Sequence, residues 1–325
     1  MNNFEALRHR ISQELQQLNE LIANVLRSDS ELLQSVIDDY MRAKGKQIRP
    51  ILTILTAKAL GEANDRTLNG AAAVELLHNA SLIHDDVVDE SPMRRGYPTV
   101  NHIWDNHIAV LAGDFFVSRA LACAAATGDI RILKEMAAMG TELSQGEMFQ
   151  IDNAINHLPS RDRYMNAIRR KTASLFRCCV LTGGFSVDAP QAQLDRLASF
   201  AEKLGLCFQI RDDIFDYFDS TEIGKPTGSD LKEGKVTLPL ICALENADAA
   251  EREAMTAILA KTALLPDSDV ATLVAFAKEH GGIDAAYATM DDIRSEAFAY
   301  LESLPQSQWL DALRDIFNYI IDRRN

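Results

Sequence analysis

Cysteine is scarce, and what there is does not pair. Five occur in 325 residues, an odd number with no C-x-x-C spacing. Cys123, Cys178, Cys179, Cys207 and Cys242 mostly sit in apolar helical sequence and read as reduced core residues of a cytoplasmic protein. Basic side chains are in deficit: 33 Lys and Arg against 47 Asp and Glu give a formal charge of −14. Phosphate backbones are held by Lys and Arg, so this balance argues against nucleic acid as a partner. A small phosphorylated ligand on a local basic patch stays compatible with it. No unbroken run of about 20 apolar residues occurs, so no segment is expected to span a membrane. The opening "MNNFEALRHRISQELQQL" lacks the apolar core of a signal peptide. Also missing are a regular run of alternating strands, an Asn-Gly hairpin between strands, a short-period repeat and an EF-hand loop.

What is present is helical. The chain is 47% hydrophobic, ample for a large core. "TLNGAAAVELLHNASLIHDDVVDE" (67–90), "HIAVLAGDFFVSRALACAAA" (107–126) and "DIRILKEMAAMGTELSQGEMFQID" (129–152) repeat apolar residues at helical spacing, often nearly all round. "SRDRYMNAIRRKTASLFRCCVLTGGF" (160–185) opens with Ser160 as an N-cap and ends at a Gly pair. The breaks at 43–50, 91–100, 157–160, 219–237 and 281–282 do not resemble a flexible linker. The pattern predicts one all-α domain over residues 1–325, a large helical bundle.

Two helical patterns end alike: 67–90 in "HDDVVDE" (84–90), and a further long one, "APQAQLDRLASFAEKLGLCFQIRDDIFDYF" (189–218), in "RDDIFDY" (211–217). Each has the form Asp-Asp-x-x-Asp, and each is followed by a loop bearing Lys or Arg. At about 100° per residue, Asp85 and Asp89 share a helix face with Asp86 beside them. Like charges four apart destabilise a helix by roughly 0.2–0.5 kcal/mol per pair, and a helix C-terminus disfavours negative charge further. A solvated acidic helix end accounts for one such cluster as well as chemistry does. Two copies are harder to dismiss. If the helices face each other across a cavity, divalent cations would make the convergence tolerable. Mg²⁺ bridges carboxylates to substrate phosphates, and the cationic residues that follow would hold phosphate. His78, Ser81, Asp85 and Asp89 fall on one stripe, as do Gln209, Asp212, Asp213 and Asp216. A lone histidine is more often structural, and its place on the acidic stripe shifts that balance modestly. "KGKQIRP" (44–50) is a further basic turn before a helix start. It is either a solvated loop or a second anion site.

In combination, "GKQIRP", "ELLHNASLIHDDVVDESPMRRG", "RKTASLF", "FQIRDDIFDYF" and "GKPTGSDLKEGKVTLPL" resemble the motifs of trans-type (head-to-tail) polyprenyl diphosphate synthases, and the resemblance covers nearly the whole chain. It implies an all-α bundle around a central cavity, a homodimer, and Mg²⁺ as cofactor. By position, Asp85, Asp86 and Asp89 would bind Mg²⁺ from one wall, and Asp212, with Asp213 and Asp216, from the other. Arg94, Lys171, Lys225 and Lys235 resemble residues that hold the diphosphate of the allylic substrate. Lys46, Arg49, His78 and Arg95 resemble the isopentenyl diphosphate site, and Thr172 and Gln209 resemble residues near the reacting carbons. Arg211 departs from the pattern, because relatives commonly carry an apolar residue there.

The implied reaction ionises the allylic carbon–oxygen bond, adds the isopentenyl double bond to the cation and loses a proton. Product length is read from Ala80 and Ser81, four to five residues before Asp85 and about 6–8 Å along the helix. In short-chain relatives, bulky aromatics near these positions close the tunnel. Here both are small, as are many residues of "FFVSRALACAAATG", although small residues also serve close helix packing. The expectation is a long product, around octaprenyl, grown from farnesyl diphosphate. It would partition to membrane and supply a quinone side chain. The rivals are a farnesyl or geranylgeranyl diphosphate synthase, a terpene cyclase and a non-catalytic subunit of a heteromeric synthase. Residues after about 245 carry no assigned chemistry.

Overall fold

The structure, a computed structural model, describes residues 3–43, 45–156, 159–218, 227–261 and 264–322. Lys225, and Lys44 in the first basic turn, lie outside the described residues. The fold is all-α, as the periodicity predicts. Among the described residues, the only strands are Met93–Arg94 and Tyr97–Pro98, an antiparallel pair. The sequence reading missed this hairpin because two-residue strands are too short to alternate. Its turn residues, Arg95 and Gly96, both have positive φ (53° and 79°), as a two-residue type I′ turn requires.

The chain forms two compact units. One comprises Met1–Ala137, Cys178–Asp195 and Gln306–Leu313; the other comprises Ala138–Arg177, Arg196–Pro305 and Arg314–Asn325.

The first unit is organised on the helix Asp65–Val88. Asn64 and Thr67 start it with a reciprocal capping box, which satisfies two otherwise orphaned backbone donors. Ala71, Ala72, Ala73, Val74, Leu76 and Ala80 are all fully buried, so the helix is enclosed nearly all round. It packs on the helices Ser12–Val25, Ile48–Leu60 and Asn106–Ala126. Asn106–Ala126 is the most apolar of these partners. By length and composition it is the one helix among the described residues that could cross a membrane. Asp114 and Arg119 interrupt its apolar run in sequence but leave the remainder strongly apolar. It buries Ala109, Ala112, Phe116, Ala120 and Cys123, and exposes Val110, Leu111 and Leu121.

In the second unit, the helix Arg161–Ile168 runs into a π-helical turn, Arg169–Ala173, and helical structure resumes at Ser174. Ser160 holds the N-cap position in extended conformation, but its side chain makes no capping bond. The helix Leu238–Asn246 has Pro at its second position, where no intrahelical donor is lost. It packs on Arg161–Ile168, Asp267–Glu279 and Gly282–Glu302. Arg211 is buried, with its guanidinium over the rings of Phe215 (4.2 Å) and Tyr287 (5.2 Å) and bonded to the Tyr287 hydroxyl. All five cysteines are buried and free.

Candidate active site

The first acidic motif closes the helix Asp65–Val88, with Asp89 as its C-cap. Asp85 is half-buried, Asp86 is 3% exposed and Asp89 is exposed. The Met93–Pro98 hairpin reverses the chain, so that Arg94 Nε donates a 2.7 Å hydrogen bond to Asp86 Oδ1. That contact explains why basic residues follow the aspartates at once. Burial pushes the Asp86 carboxyl above the ordinary range, and Arg94 opposes the shift. The loop is fastened by Asn101 Nδ2, which donates to the Asp86 carbonyl at 3.1 Å, and by the Thr99 hydroxyl, which donates to the Ser91 carbonyl at 2.6 Å. Asp85 and Asp89 share a face one turn apart, at the negative end of the helix dipole. That is where an added cation stabilises most.

The "GKQIRP" turn lies in the same unit. Gln47 takes a left-handed conformation (φ 54°) just before the helix Ile48–Leu60, and its side chain is held by Asn19 Oδ1 at 2.8 Å. Arg8 donates to the Lys46 carbonyl at 2.8 Å. Lys46 is exposed and Arg49 is half-buried. A Cβ at Gly45 would lie 2.4 Å from Nη1 of Arg95, so the turn sits directly against that guanidinium. Burial holds buried His78 well below its usual pKa, and Arg49, Arg95 and Arg94 push the same way, so His78 is neutral. Glu75, one turn before His78, has its carboxyl raised by burial and pulled back by Arg49 and Arg95. A cavity of about 410 Å³ opens here, lined in part by Tyr40, Gly45, Gln47, Glu75, Asn79 and Arg95.

In the second unit, one cavity of about 130 Å³ gathers Lys171, Thr172, Gln209, Asp213 and Lys235, with Tyr164 and Asp230 also in its wall. The π turn presents Lys171 and Thr172. Lys171 Nζ reaches Gln150 Oε1 at 2.8 Å and Glu147 Oε2 at 2.5 Å. The Thr172 hydroxyl donates to Gln209 Oε1 at 2.7 Å, and Gln209 Nε2 donates to Asp213 Oδ1 at 2.7 Å. Lys235 Nζ lies 2.7 Å from Glu233. Asp212 is half-buried. Asp213 is buried and accepts from Tyr164 as well. Asp216 accepts at one oxygen from Ser229 N (3.1 Å) and Oγ (2.7 Å), and at the other from Asp230 N (3.1 Å). Its carboxylate therefore anchors the start of the Ser229–Lys232 turn.

Among the described residues, no three His, Cys, Asp or Glu side chains form a ready-made metal cage. The donor set at the helix ends is carboxylate oxygen. That suits a hard dication of the Mg²⁺ kind, which takes one or two carboxylates and completes its shell with water and substrate phosphates. Several residues of these clusters escaped sequence reasoning. Tyr164 lies two turns before Lys171 and Glu75 one turn before His78, so helical spacing could have flagged both. Asn101 acts through the Asp86 carbonyl and leaves no such signal.

The polyprenyl synthetase family profile matches residues 30–275. The all-trans-nonaprenyl-diphosphate synthase (geranyl-diphosphate specific) of Rhodobacter capsulatus is 34% identical over 315 residues, which are 96% of each chain. A polyprenyl synthase structure from Caulobacter crescentus, complexed with calcium and isoprenyl diphosphate, is 31% identical with a TM-score of 0.89, and the match covers 99% of this chain and 98% of that one. A geranylgeranyl pyrophosphate synthase structure from Bacteroides thetaiotaomicron is 35% identical with a TM-score of 0.85, over 99% of this chain and all of that one. Long- and short-chain relatives are thus about equally similar, and identity alone does not rank product lengths.

Proposed function

This chain is a prenyltransferase belonging to the polyprenyl synthetase family, and we propose that it extends an allylic diphosphate, farnesyl diphosphate by preference, with isopentenyl diphosphate to a long all-trans polyprenyl diphosphate of about octaprenyl length. The observation that carries the reading is the cavity at the π turn, where Lys171, Thr172, Gln209 and Lys235 meet Asp213.

Asp85, Asp86 and Asp89 on one helix, and Asp212 with Asp213 and Asp216 on another, are the carboxylates we assign to Mg²⁺. Within its own unit Asp86 is oriented by Arg94, Asp213 by Tyr164 and Gln209, and Asp216 by residues 229–230. Bound Mg²⁺ would offset the charge of the departing diphosphate. Arg94, Lys171 and Lys235 hold that diphosphate, and Lys225 joins them by resemblance alone. Lys46, Arg49 and Arg95 hold the diphosphate of isopentenyl diphosphate. Neutral His78 contributes a hydrogen bond there without adding charge. Cationic side chains stabilise the leaving group, and the allylic carbon–oxygen bond ionises. The isopentenyl double bond attacks the allylic cation, forming one carbon–carbon bond. The new tertiary cation then loses a proton to the released diphosphate. Thr172 and Gln209 lie beside the reacting carbons, and water is kept out so that the cation is not quenched.

We assign the exposed face of Asn106–Ala126, with Leu111 67% exposed beside Val110 and Leu121, to a homodimer contact. Five free cysteines support a reducing, cytoplasmic setting. The product is apolar enough to partition to membrane, and a quinone side chain is the use its length suits. A shorter product is the second reading. Ala80 is fully buried in helix packing, so of the two length positions only half-buried Ser81 presents surface.

The test is to incubate the purified protein with Mg²⁺, farnesyl diphosphate and isopentenyl diphosphate and size the products. Octaprenyl diphosphate is expected. A stop at geranylgeranyl diphosphate selects the second reading, and no incorporation of isopentenyl units removes both.

A further inference from the structure

The π turn Arg169–Ala173 interrupts an otherwise α-helical run, and it carries Lys171 and Thr172. A π turn bonds i to i+5 and accommodates an extra residue, so the backbone widens. Two demands follow. The bulge needs room against its neighbours, and one carbonyl loses its α-helical donor.

Specific residues meet both. The Ser174 backbone N–H bonds the Arg169 carbonyl, five residues back, and so passes over the carbonyl of Arg170. The Ser174 hydroxyl donates to that Arg170 carbonyl at 2.6 Å. Ser174 is 3% exposed, so water is poorly placed to replace it. Room comes from two glycines on flanking helices. A Cβ at Gly146, in Ile130–Ile155, would lie 2.6 Å from Lys171 N and 3.0 Å from Lys171 Cα. A Cβ at Gly205, in Gln191–Phe215, would lie 2.5 Å from Ala173 Cα. These are backbone atoms, which cannot rotate aside. Gly140, on the same helix as Gly146, would meet nothing within 4 Å.

Each notch also lies on the helix that supplies a partner to the π turn. Gly146 precedes Glu147 directly and Gln150 by one turn, and both bond Lys171. Gly205 precedes Gln209 by one turn, and Gln209 accepts from Thr172. We propose that Gly146, Gly205 and Ser174 are positioning residues, which hold the turn in π register and thereby set where Lys171 and Thr172 meet the allylic diphosphate. This rests on the role assigned above to those two side chains. Collapse to α register would swing Lys171 about 100° around the helix axis.

The experiment measures steady-state kinetics with farnesyl diphosphate and isopentenyl diphosphate for Gly146→Ala, Gly205→Ala, Ser174→Ala and the control Gly140→Ala, in the native and Lys171→Ala backgrounds. Gly146→Ala and Gly205→Ala should lower kcat/KM for farnesyl diphosphate by about ten- to a hundredfold, the scale of an ångström misplacement. KM for isopentenyl diphosphate should stay within about twofold. Gly140→Ala should match the native enzyme. In the Lys171→Ala background, Gly146→Ala should cost less than about twofold more, because the side chain it misplaces is gone. Equal losses toward both substrates, or losses that multiply with Lys171→Ala, would make the notches merely structural and overturn the proposal. If both glycine variants fail to fold, Ser174→Ala decides: a selective farnesyl diphosphate loss supports the proposal, and unchanged kinetics overturn it. Normal farnesyl diphosphate kinetics in Lys171→Ala alone would instead sink the functional reading beneath it.

Discussion

The Tyr164 hydroxyl donates to Oδ2 of Asp213 at 2.6 Å, while Gln209 takes the other oxygen. The middle aspartate of the second acidic motif is therefore enclosed by donors from its own unit. Burial nevertheless pushes its carboxyl up to about 8, and Asp230 adds to the shift, while Tyr164 and Gln209 pull it back.

That shift has a sign in stability. The folded-state value lies above the ordinary 3.8, so between those limits the folded protein binds more protons than the unfolded chain. Stability contributed by this group is therefore lost as pH rises through that window. In metal-free protein, the melting temperature relative to Asp213→Asn should fall between pH 5 and pH 8.5. A constant difference across that range would show Asp213 ionised throughout.

Asp85→Ala and Asp212→Ala should each reduce turnover by about a thousandfold, the scale of losing a preorganised electrostatic contact. Melting temperatures should change little, because both side chains are only half-buried. Asp86→Ala should behave differently and melt earlier, since it removes a buried carboxylate from the Arg94 guanidinium. Turnover within tenfold of native in Asp85→Ala or Asp212→Ala would count against the metal assignment.

Ser81→Phe should shorten the product, read by chromatography of dephosphorylated prenols. Ser81 is half-buried, and its hydroxyl bonds the His78 carbonyl within its own helix. Ala80→Phe meets a closed core and should destabilise the protein by about 1–3 kcal/mol. An unaltered distribution from Ser81→Phe would place the length limit elsewhere.

Leu111→Glu puts a charge in the centre of the exposed apolar face of Asn106–Ala126. Light scattering should then report a monomer where the native protein is a dimer. A native protein that is itself monomeric, or a variant that stays dimeric, would remove this face from the interface.

The sequence made the helices and both acidic ends legible, because apolar spacing and the Asp-Asp-x-x-Asp pattern are local. It brought Lys171, Thr172 and Lys235 forward only through family resemblance, and Gln209 through its place on the second acidic stripe as well. Nothing in their spacing shows that they share one cavity wall. The π turn was invisible for a different reason: Arg169–Ala173 reads as ordinary helix, and its cause lies in glycines on other helices. Asp213 and Asp216 looked equivalent to Asp212 on their stripe. What tells Asp213 from Asp216 is tertiary: Tyr164 meets the first and residues 229–230 meet the second. Ala80 likewise looked as open as Ser81, until packing enclosed it.

The small Met93–Pro98 hairpin puts neighbouring guanidinium groups on one swivel. Arg94 points to Asp86, Arg95 rests on Gly45, and the pivot is Gly96, whose φ of 79° demands glycine although open space surrounds it. The acidic tip of Asp65–Val88 and the basic turn before Ile48 are thus each touched by one of two consecutive arginines, a single peptide unit apart.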